Sequence, residues 1–163
     1  MAFDGCSPQF LHVVPGQVVT SVEPLTLRTV LGSCVSVCVW DTKTQAGGMN
    51  HFLLPAALDN RPSTRHGETA MAVLFEQMDA LGSSRSHFVV RVFGGARILI
   101  GGSELARLGQ RNVDFALDWL ARQGLVVATL DVGGSAARRL DFDLRDGTAN
   151  VRHVGGQPAG TRE

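Results

Sequence analysis

The sequence lacks several features that would place it in particular classes of protein. It has no tyrosine, and its net charge is zero because 15 lysine and arginine residues balance 15 aspartate and glutamate residues. That balance argues against nucleic-acid binding, which normally needs a concentrated basic surface. No run of about 18 apolar residues occurs, and the first residues do not have the basic and apolar regions of a signal peptide. We therefore expect a cytoplasmic protein with no direct membrane insertion.

Cysteine is also scarce. The three cysteines, Cys6, Cys34 and Cys38, are an odd number, which in a reducing compartment predicts free thiols rather than a disulfide framework. Hydrophobic residues make up 44% of the 163 residues, enough for the core of one domain. The expected boundaries are a disordered N-terminal segment (1–9), the domain (10–155) and a flexible tail (156–163).

Apolar periodicity predicts a mixture of strands and helices. Residues 35–40 alternate with period two, and 47–54 form a return strand after a polar turn, so the two make a hairpin. Apolar spacing of three and four residues in 68–82 predicts an amphipathic helix. A second helix is expected from an N-cap at Asn112 to a stop at Gly124, after an ambiguous stretch. Further strands are expected at 10–14, 87–93 and 125–131, and a hairpin around Asp146-Gly147. These elements predict one layered α/β domain with a mixed, largely antiparallel sheet.

The residues that could carry chemistry gather on the first hairpin. Cys34 follows Gly32-Ser33 at the start of its first strand, and His51 lies on the returning strand. A free thiol with a pKa of about 8.5 is little ionised at neutral pH, and a neighbouring imidazole can take its proton. The pair is therefore the smallest set for a thiol nucleophile. From the residues alone, a buried structural cysteine is the alternative.

Three further features could complete such a site. Thr29, five residues before Cys34, could orient the imidazole, or it could be a strand threonine. Gly94 and Gly95 follow a strand and could offer backbone N–H groups to an oxyanion or carboxamide, or only form a tight turn. Ser33, beside the nucleophile, belongs to the same group of candidate substrate contacts.

A metal site is a weaker interpretation of the same region. It would use Cys34, Cys38, His51 and His66, of which His66 lies in the loop after the return strand. The Cys-x-x-x-Cys spacing lies on a predicted strand rather than in a zinc knuckle, and the chain has no second cysteine pair. Core packing is the better interpretation of Cys38, and we expect neither a metal nor an organic cofactor.

Several segments together resemble the CheD family of chemoreceptor glutamine deamidases. LGSCVSVCVWD followed by GGMNHFLLP resembles the signature of the family, and RHGETAMAVLFEQMDALG, VFGGARIL and LGQRNVDFALDWLARQGL resemble later parts in the same order. The resemblance covers roughly residues 10–155. It implies a three-layer α/β fold, similar to that of bacterial toxins that deamidate glutamine.

The resemblance also implies an activity. A Cys–His–Thr site, carried here by Cys34 and His51, would convert glutamine to glutamate on the cytoplasmic domains of chemoreceptors through a thioester, with release of ammonia. A CheC-type phosphatase would be a partner. The threonine depends on register: some members have it six residues before the cysteine, where this chain has Arg28, and Thr29 is one step nearer. One step along a strand reverses the face.

Two other functions are open at this stage. The same fold could serve as a non-catalytic chemotaxis adaptor that binds receptors or a CheC-type phosphatase. It could also be a thiol hydrolase or amidase acting on small molecules. Selective alkylation of Cys34 over Cys6 and Cys38 would favour catalysis over the adaptor.

Overall fold

The chain is analysed as a computed structural model that describes residues 9–98 and 103–155. Over these residues it forms strands, two α-helices and a short 3₁₀ turn at Arg85–His87. In chain order the strands are β1 (Phe10–His12), β2 (Val18–Ser21), β3 (Thr26–Leu31), β4 (Val35–Asp41), β5 (Gly47–Asn50), β6 (Phe88–Gly94), β7 (Val127–Val132), β8 (Ala137–Asp143) and β9 (Thr148–Val154). The helices are α1 (Gly67–Ala80) and α2 (Ser103–Arg122).

The strands divide between two sheets. One has the order β2-β5-β4-β6-β7 and the other the order β1-β3-β8-β9. The β1–β3 and β6–β7 pairs are parallel, and the other pairs are antiparallel. The α/β class and the mixed, largely antiparallel pairing are therefore confirmed. The expectation of one sheet is wrong, because β3 pairs with β8 from the far end of the chain rather than with the neighbouring hairpin.

The two faces of the central strand β4 contact different cores. Val35, Val37 and Val39 belong to a cluster that also contains the buried side chains of α1 and α2. Cys38, on the other face, belongs to a second cluster with Met49 and the inward side chains of the four-stranded sheet. The helices thus cover one face of β4, and the second sheet covers the other. Period-two alternation in β4 produces this division, since successive side chains point to opposite faces.

The start of α2 corrects one prediction. The helix begins at Ser103, nine residues before the predicted N-cap, and Asn112 lies inside it with no exposed surface. The Asn112 side chain makes tertiary hydrogen bonds instead of capping its own helix. Gly109 is also inside the helix, where an added Cβ would lie 2.5 Å from the Gly95 carbonyl oxygen. Part of the ambiguous stretch 96–110 therefore belongs to α2, and residues 99–102 lie outside the described part.

The other predicted strands and helices agree more closely with the structure. The helix expected at 68–82 is α1, and the strands expected around Asp146-Gly147 are β8 and β9. The return strand is shorter than expected, since β5 ends at Asn50 and the pairing with β4 continues beyond it as an isolated bridge between Val35 and Phe52. The proposed disordered N-terminus and flexible tail fall outside the described residues, except Gln9. Neither of the two described helices is long and apolar enough to cross a membrane.

Candidate active site

The pairing of β4 with the segment after β5 determines where Cys34 and His51 lie. Val35 and Phe52 exchange two backbone hydrogen bonds, of 3.2 and 3.1 Å. Cys34 and His51 each precede one member of that pair. They are therefore diagonal neighbours on one face, for which the Cα separation is about 7–8 Å. No hydrogen bond joins the Cys34 thiol to the His51 ring among the described residues, so the two side chains are neighbours without a direct polar contact.

A threonine fixes the orientation and the tautomer of the imidazole. Thr29 Oγ1 lies 2.8 Å from His51 Nδ1 and 2.6 Å from the Val13 carbonyl oxygen. A hydroxyl has one proton, and the carbonyl can only accept. Thr29 must therefore donate to Val13 and accept a hydrogen bond from His51 Nδ1–H. This leaves Nε2 of the neutral ring unprotonated, with a lone pair that can accept a proton.

The register of β3 decides which residue faces the histidine. Leu27, Thr29 and Leu31 point inward, and Thr29 is 4% exposed. Arg28 points to the outer face, where its guanidinium donates two hydrogen bonds, of 2.6 and 2.8 Å, to the Asp141 carboxylate. The residue beside His51 is therefore Thr29 and not Arg28.

Burial controls the charge of both candidate catalytic groups. It lowers the pKa of His51 to about 4, because the ring is removed from water; the Val13 carbonyl opposes the shift. Burial also raises the pKa of the Cys34 thiol, an effect that the backbone N–H of Cys34 partly offsets. At neutral pH the resting site therefore contains a neutral thiol and a neutral imidazole. Such a pair needs the proton to move during the attack on a substrate, not before it.

Three hydrogen bonds hold the turn that carries Cys34. The carbonyl of Gly32 accepts from Ala96 N–H (2.9 Å), and that of Cys34 accepts from Gly95 N–H (2.8 Å). The Ser33 carbonyl accepts from the Asn112 side chain at 3.0 Å. The backbone N–H groups of Ser33 and Cys34 have no acceptor within the described residues. The turn thus directs its carbonyls into the fold and leaves two donors beside the thiol.

Gly94 and Gly95 pack against the backbone of this turn. A Cβ at Gly94 would overlap the Cys34 carbonyl oxygen, and Gly94 has a φ of 107°. Only glycine combines that φ with so close an approach. Because the Gly95 N–H already bonds to Cys34, it is not available to an oxyanion in this arrangement. The glycine pair therefore supports the turn, and the N–H groups of the turn that have no acceptor within the described residues are those of Ser33 and Cys34.

A cavity of about 440 Å³ opens beside the thiol. It is lined by Ser33, Cys34, Leu53, Leu54, Arg65, His66 and Leu108. His51 and Thr29 line a separate cavity of about 400 Å³, whose described lining residues include no cysteine. The Cys34 cavity is therefore the place where a substrate could meet the thiol, with three leucines as apolar walls. Nδ1 of His66 is buried, with no hydrogen-bond partner in the described part of the chain.

The alternative metal site is not formed. Cys38 is fully buried in the second core cluster, and burial raises the pKa of its thiol to about 12. No group of three or more potential ligands lies together in residues 9–98 and 103–155. The prediction that Cys38 packs in the core is confirmed.

Sequence reasoning missed two contributors to the site. The Val13 carbonyl fixes the Thr29 hydroxyl, and no side-chain pattern could have indicated a backbone group. Asn112 was assigned to a helix end. A signal for its true place existed, because Asn112, Ala116 and Leu120 share the buried stripe of α2 at four-residue spacing. A polar residue in such a stripe indicates a buried hydrogen bond.

The fold and the site define a class: an α/β protein with a cysteine, a histidine and a threonine gathered where two sheets meet. Comparison with known proteins identifies a family for this chain. Residues 53–153 match the sequence profile of the family described as "CheD chemotactic sensory transduction". That range begins after Cys34 and His51, so the profile match does not depend on them.

Individual relatives extend the likeness over most of the chain. The chain is 40% identical over 150 residues to a "Probable chemoreceptor glutamine deamidase CheD 1" of Anaeromyxobacter dehalogenans, covering 92% of this chain and 86% of the relative. It is 37% identical over 145 residues to a protein of Trichlorobacter lovleyi named "Probable chemoreceptor glutamine deamidase CheD". That alignment covers 88% of this chain and 90% of the relative. A Ralstonia nicotianae protein with that name is 41% identical over 155 residues, which is 93% of this chain and 66% of the relative. The chain belongs to the CheD family.

Proposed function

We propose that this protein is a protein-glutamine deamidase that converts particular glutamines of chemoreceptors to glutamate. Membership of the CheD family and the names of its relatives support the reaction and the substrate class. The observation that carries the proposal is the hydrogen bond from His51 Nδ1–H to Thr29 Oγ1. It leaves His51 Nε2 as a free base on the same strand face as the Cys34 thiol.

The first half of the reaction forms a thioester. Cys34 Sγ attacks the carbonyl carbon of the glutamine side-chain amide, and His51 Nε2 takes the thiol proton. His51 then gives this proton to the amide nitrogen as the C–N bond breaks, and ammonia leaves. Thr29 holds the imidazole and accepts from Nδ1–H while the ring is transiently positive.

The second half regenerates the enzyme. His51 takes a proton from a water molecule, whose oxygen attacks the thioester carbon. The C–S bond then breaks, the Cys34 thiolate regains a proton from His51, and the substrate side chain leaves as glutamate. In both halves an oxyanion forms, and we assign its binding to the N–H groups of Ser33 and Cys34, which have no acceptor among the described residues.

The Cys34 cavity provides the place for the glutamine. Its walls of Leu53, Leu54 and Leu108 suit the aliphatic part of that side chain, and Ser33 and Cys34 line the same cavity. Substrate binding must also bring Cys34 and His51 into hydrogen-bond contact. Catalytic hydrogen bonds often shorten only in the complex.

Three finer points belong to the same proposal. We interpret the two sheets and the helices as the three layers implied by the family resemblance. Because the substrate glutamines would lie on cytoplasmic receptor domains, the protein would act in the cytoplasm. Binding to a CheC-type phosphatase stays a prediction.

The direct test is incubation with purified receptor cytoplasmic fragments, followed by peptide mass spectrometry and an ammonia assay. Conversion of defined glutamines to glutamate, with ammonia released in equal amount, is the expected result. Fragments that stay unchanged across the receptors of the host would contradict the proposal.

A non-catalytic adaptor is the second candidate. The observation in its favour is the missing hydrogen bond between Cys34 and His51 in the resting structure. An adaptor would bind a receptor fragment without releasing ammonia, and its Cys34 would react with iodoacetamide no faster than an ordinary exposed thiol.

A further inference from the structure

We propose that Asn112 is a positioning residue that sets the distance between Cys34 and His51; this inference rests on the proposed deamidase function. Asn112 is fully buried on the inner face of α2. Its Nδ2 donates to the Ser33 carbonyl at 3.0 Å and to the Leu53 carbonyl at 2.9 Å. One side chain therefore joins the turn before the nucleophile to the segment after the base.

The orientation of the Asn112 amide is fixed by these contacts. Both acceptors are carbonyl oxygens, so a flipped amide would place Oδ1 against two oxygens and lose both hydrogen bonds. Oδ1 has no hydrogen-bond partner among the described residues, although it is buried. A buried, unpaired polar atom is costly. A residue chosen only to fill space would avoid that cost, so the two donated hydrogen bonds are the reason for an asparagine here.

The joined segments are those that matter for the proton transfer. Ser33 precedes Cys34 directly, and Leu53 follows His51 by two residues, on the strand position opposite Cys34. Beyond the bridge between Val35 and Phe52 the backbone pairing ends, because the N–H groups of Leu53 and Leu54 both donate to the Arg65 carbonyl. Asn112 thus holds the open end of the hairpin together where the backbone ladder does not.

Helix α2 is itself held close to this turn. Gly109, one turn before Asn112, packs its Cα side against the Gly95 and Ala96 carbonyls, where an added Cβ would lie 2.5 and 2.6 Å away. The Gly95 and Ala96 N–H groups in turn bond to the Cys34 and Gly32 carbonyls. The helix therefore reaches the nucleophile turn by two routes, and a movement of α2 moves Cys34 relative to His51.

The test uses Asn112→Leu, which keeps the approximate volume but has no donor, and Asn112→Ser, which keeps one donor and carries the test if the leucine variant does not fold. Leu120→Val is the matched control, because it loosens the same helix face about two turns away and leaves both hydrogen bonds of Asn112 in place. For the Asn112 variants we expect kcat to fall by about 10- to 100-fold with KM within about twofold, since small misplacements of reacting groups act on kcat.

The second readout needs no receptor. Cys34 alkylation is measured from pH 4.5 to 10; the His51-assisted rate at neutral pH should fall in both Asn112 variants, and the thiolate rate at high pH should not. Equal neutral-pH rates in wild type and Asn112 variants would overturn the inference. So would an equal loss of kcat in Leu120→Val at matched thermal stability. If wild type deamidates nothing, the proposed function fails, and the alkylation profile still decides the role of Asn112.

Discussion

Thr29 accepts a hydrogen bond from His51 Nδ1 at 2.8 Å while it donates to the Val13 carbonyl at 2.6 Å. The Val13 carbonyl, a backbone group, thus determines which nitrogen of the histidine carries the proton. Since β1 pairs with β3, the position of Val13 depends on the parallel edge of the four-stranded sheet. The second sheet therefore orients the base, and the first sheet carries both the base and the nucleophile.

Replacing Thr29 by valine tests this relationship. Valine keeps the shape and loses the hydroxyl, so His51 Nδ1 and the Val13 carbonyl both lose a buried partner, at a cost of roughly 1–3 kcal/mol in the free energy of unfolding. We expect kcat to fall at least about tenfold, since a general base contributes about 10²–10⁴. Thr29→Ser retains the hydroxyl and should recover most of the loss. Nitrogen NMR of labelled histidine should show the Nδ1–H tautomer in wild type and not in Thr29→Val. The same tautomer in both proteins would show that Thr29 does not determine which nitrogen of His51 carries the proton.

The buried His51 should make folding stability depend on pH. Its pKa is about 4 in the fold against an ordinary value of 6.5, so the unfolded chain takes up a proton over this range and the folded chain does not. Stability is therefore greatest above pH 6.5 and is lost as the pH falls towards 4, by roughly 3 kcal/mol in total. Urea unfolding at several pH values measures this slope. His51→Gln should remove it, and an unchanged slope in that variant would show that other groups cause it.

Alkylation of Cys34 should follow two routes. Burial raises the pKa of the thiol, so the thiolate route dominates only at high pH, while neutral His51 assists from about pH 4 upward. Wild type should therefore show a plateau of rate across neutral pH, and His51→Ala should lose the plateau but keep the high-pH rise. Cys38, fully buried, is the internal control and should stay unlabelled. A single titration curve identical in both proteins would contradict His51 as the base.

Two glycines offer a matched pair for testing whether the close packing of Gly94 against the Cys34 carbonyl positions the nucleophile. Gly94 and Gly133 both have positive φ, of 107° and 77°, but an added Cβ meets the Cys34 carbonyl only at Gly94 and has open space at Gly133. Gly133→Ala should cost about 1–2 kcal/mol of stability and leave kcat unchanged, because the penalty is one of backbone conformation. Gly94→Ala should in addition displace the Cys34 turn and abolish most activity. Equal kcat in the two variants would mean that the close approach does not position the nucleophile.

Patterns in the sequence predicted those strands, helices and turns that are specified by residues close together in the chain. The alternating valines of β4, the apolar spacing of α1 and the Asp146-Gly147 turn each specify their element through residues close in the chain. The same holds for the pair Cys34 and His51, because one hairpin brings them together. A family resemblance added the expectation of the third residue without fixing its position.

The parts that could not be predicted depend on contacts between distant segments. The division into two sheets follows from pairing of β3 with β8, about 110 residues away, which no local pattern encodes. The choice of Thr29 over Arg28 follows from the same pairing, since it decides which face of β3 is covered. Asn112 resembled an N-cap because the same side-chain amide that caps helices also cross-links buried backbone.

The central claim is that Cys34 is the nucleophile of a glutamine deamidase. The most direct measurement compares wild type and Cys34→Ala on one receptor cytoplasmic fragment, with Cys38→Ala as the matched cysteine control, and follows glutamine-to-glutamate conversion by peptide mass spectrometry. Conversion should be lost in Cys34→Ala and retained in Cys38→Ala, with folding of both variants verified by circular dichroism. Undiminished conversion by folded Cys34→Ala would contradict the account.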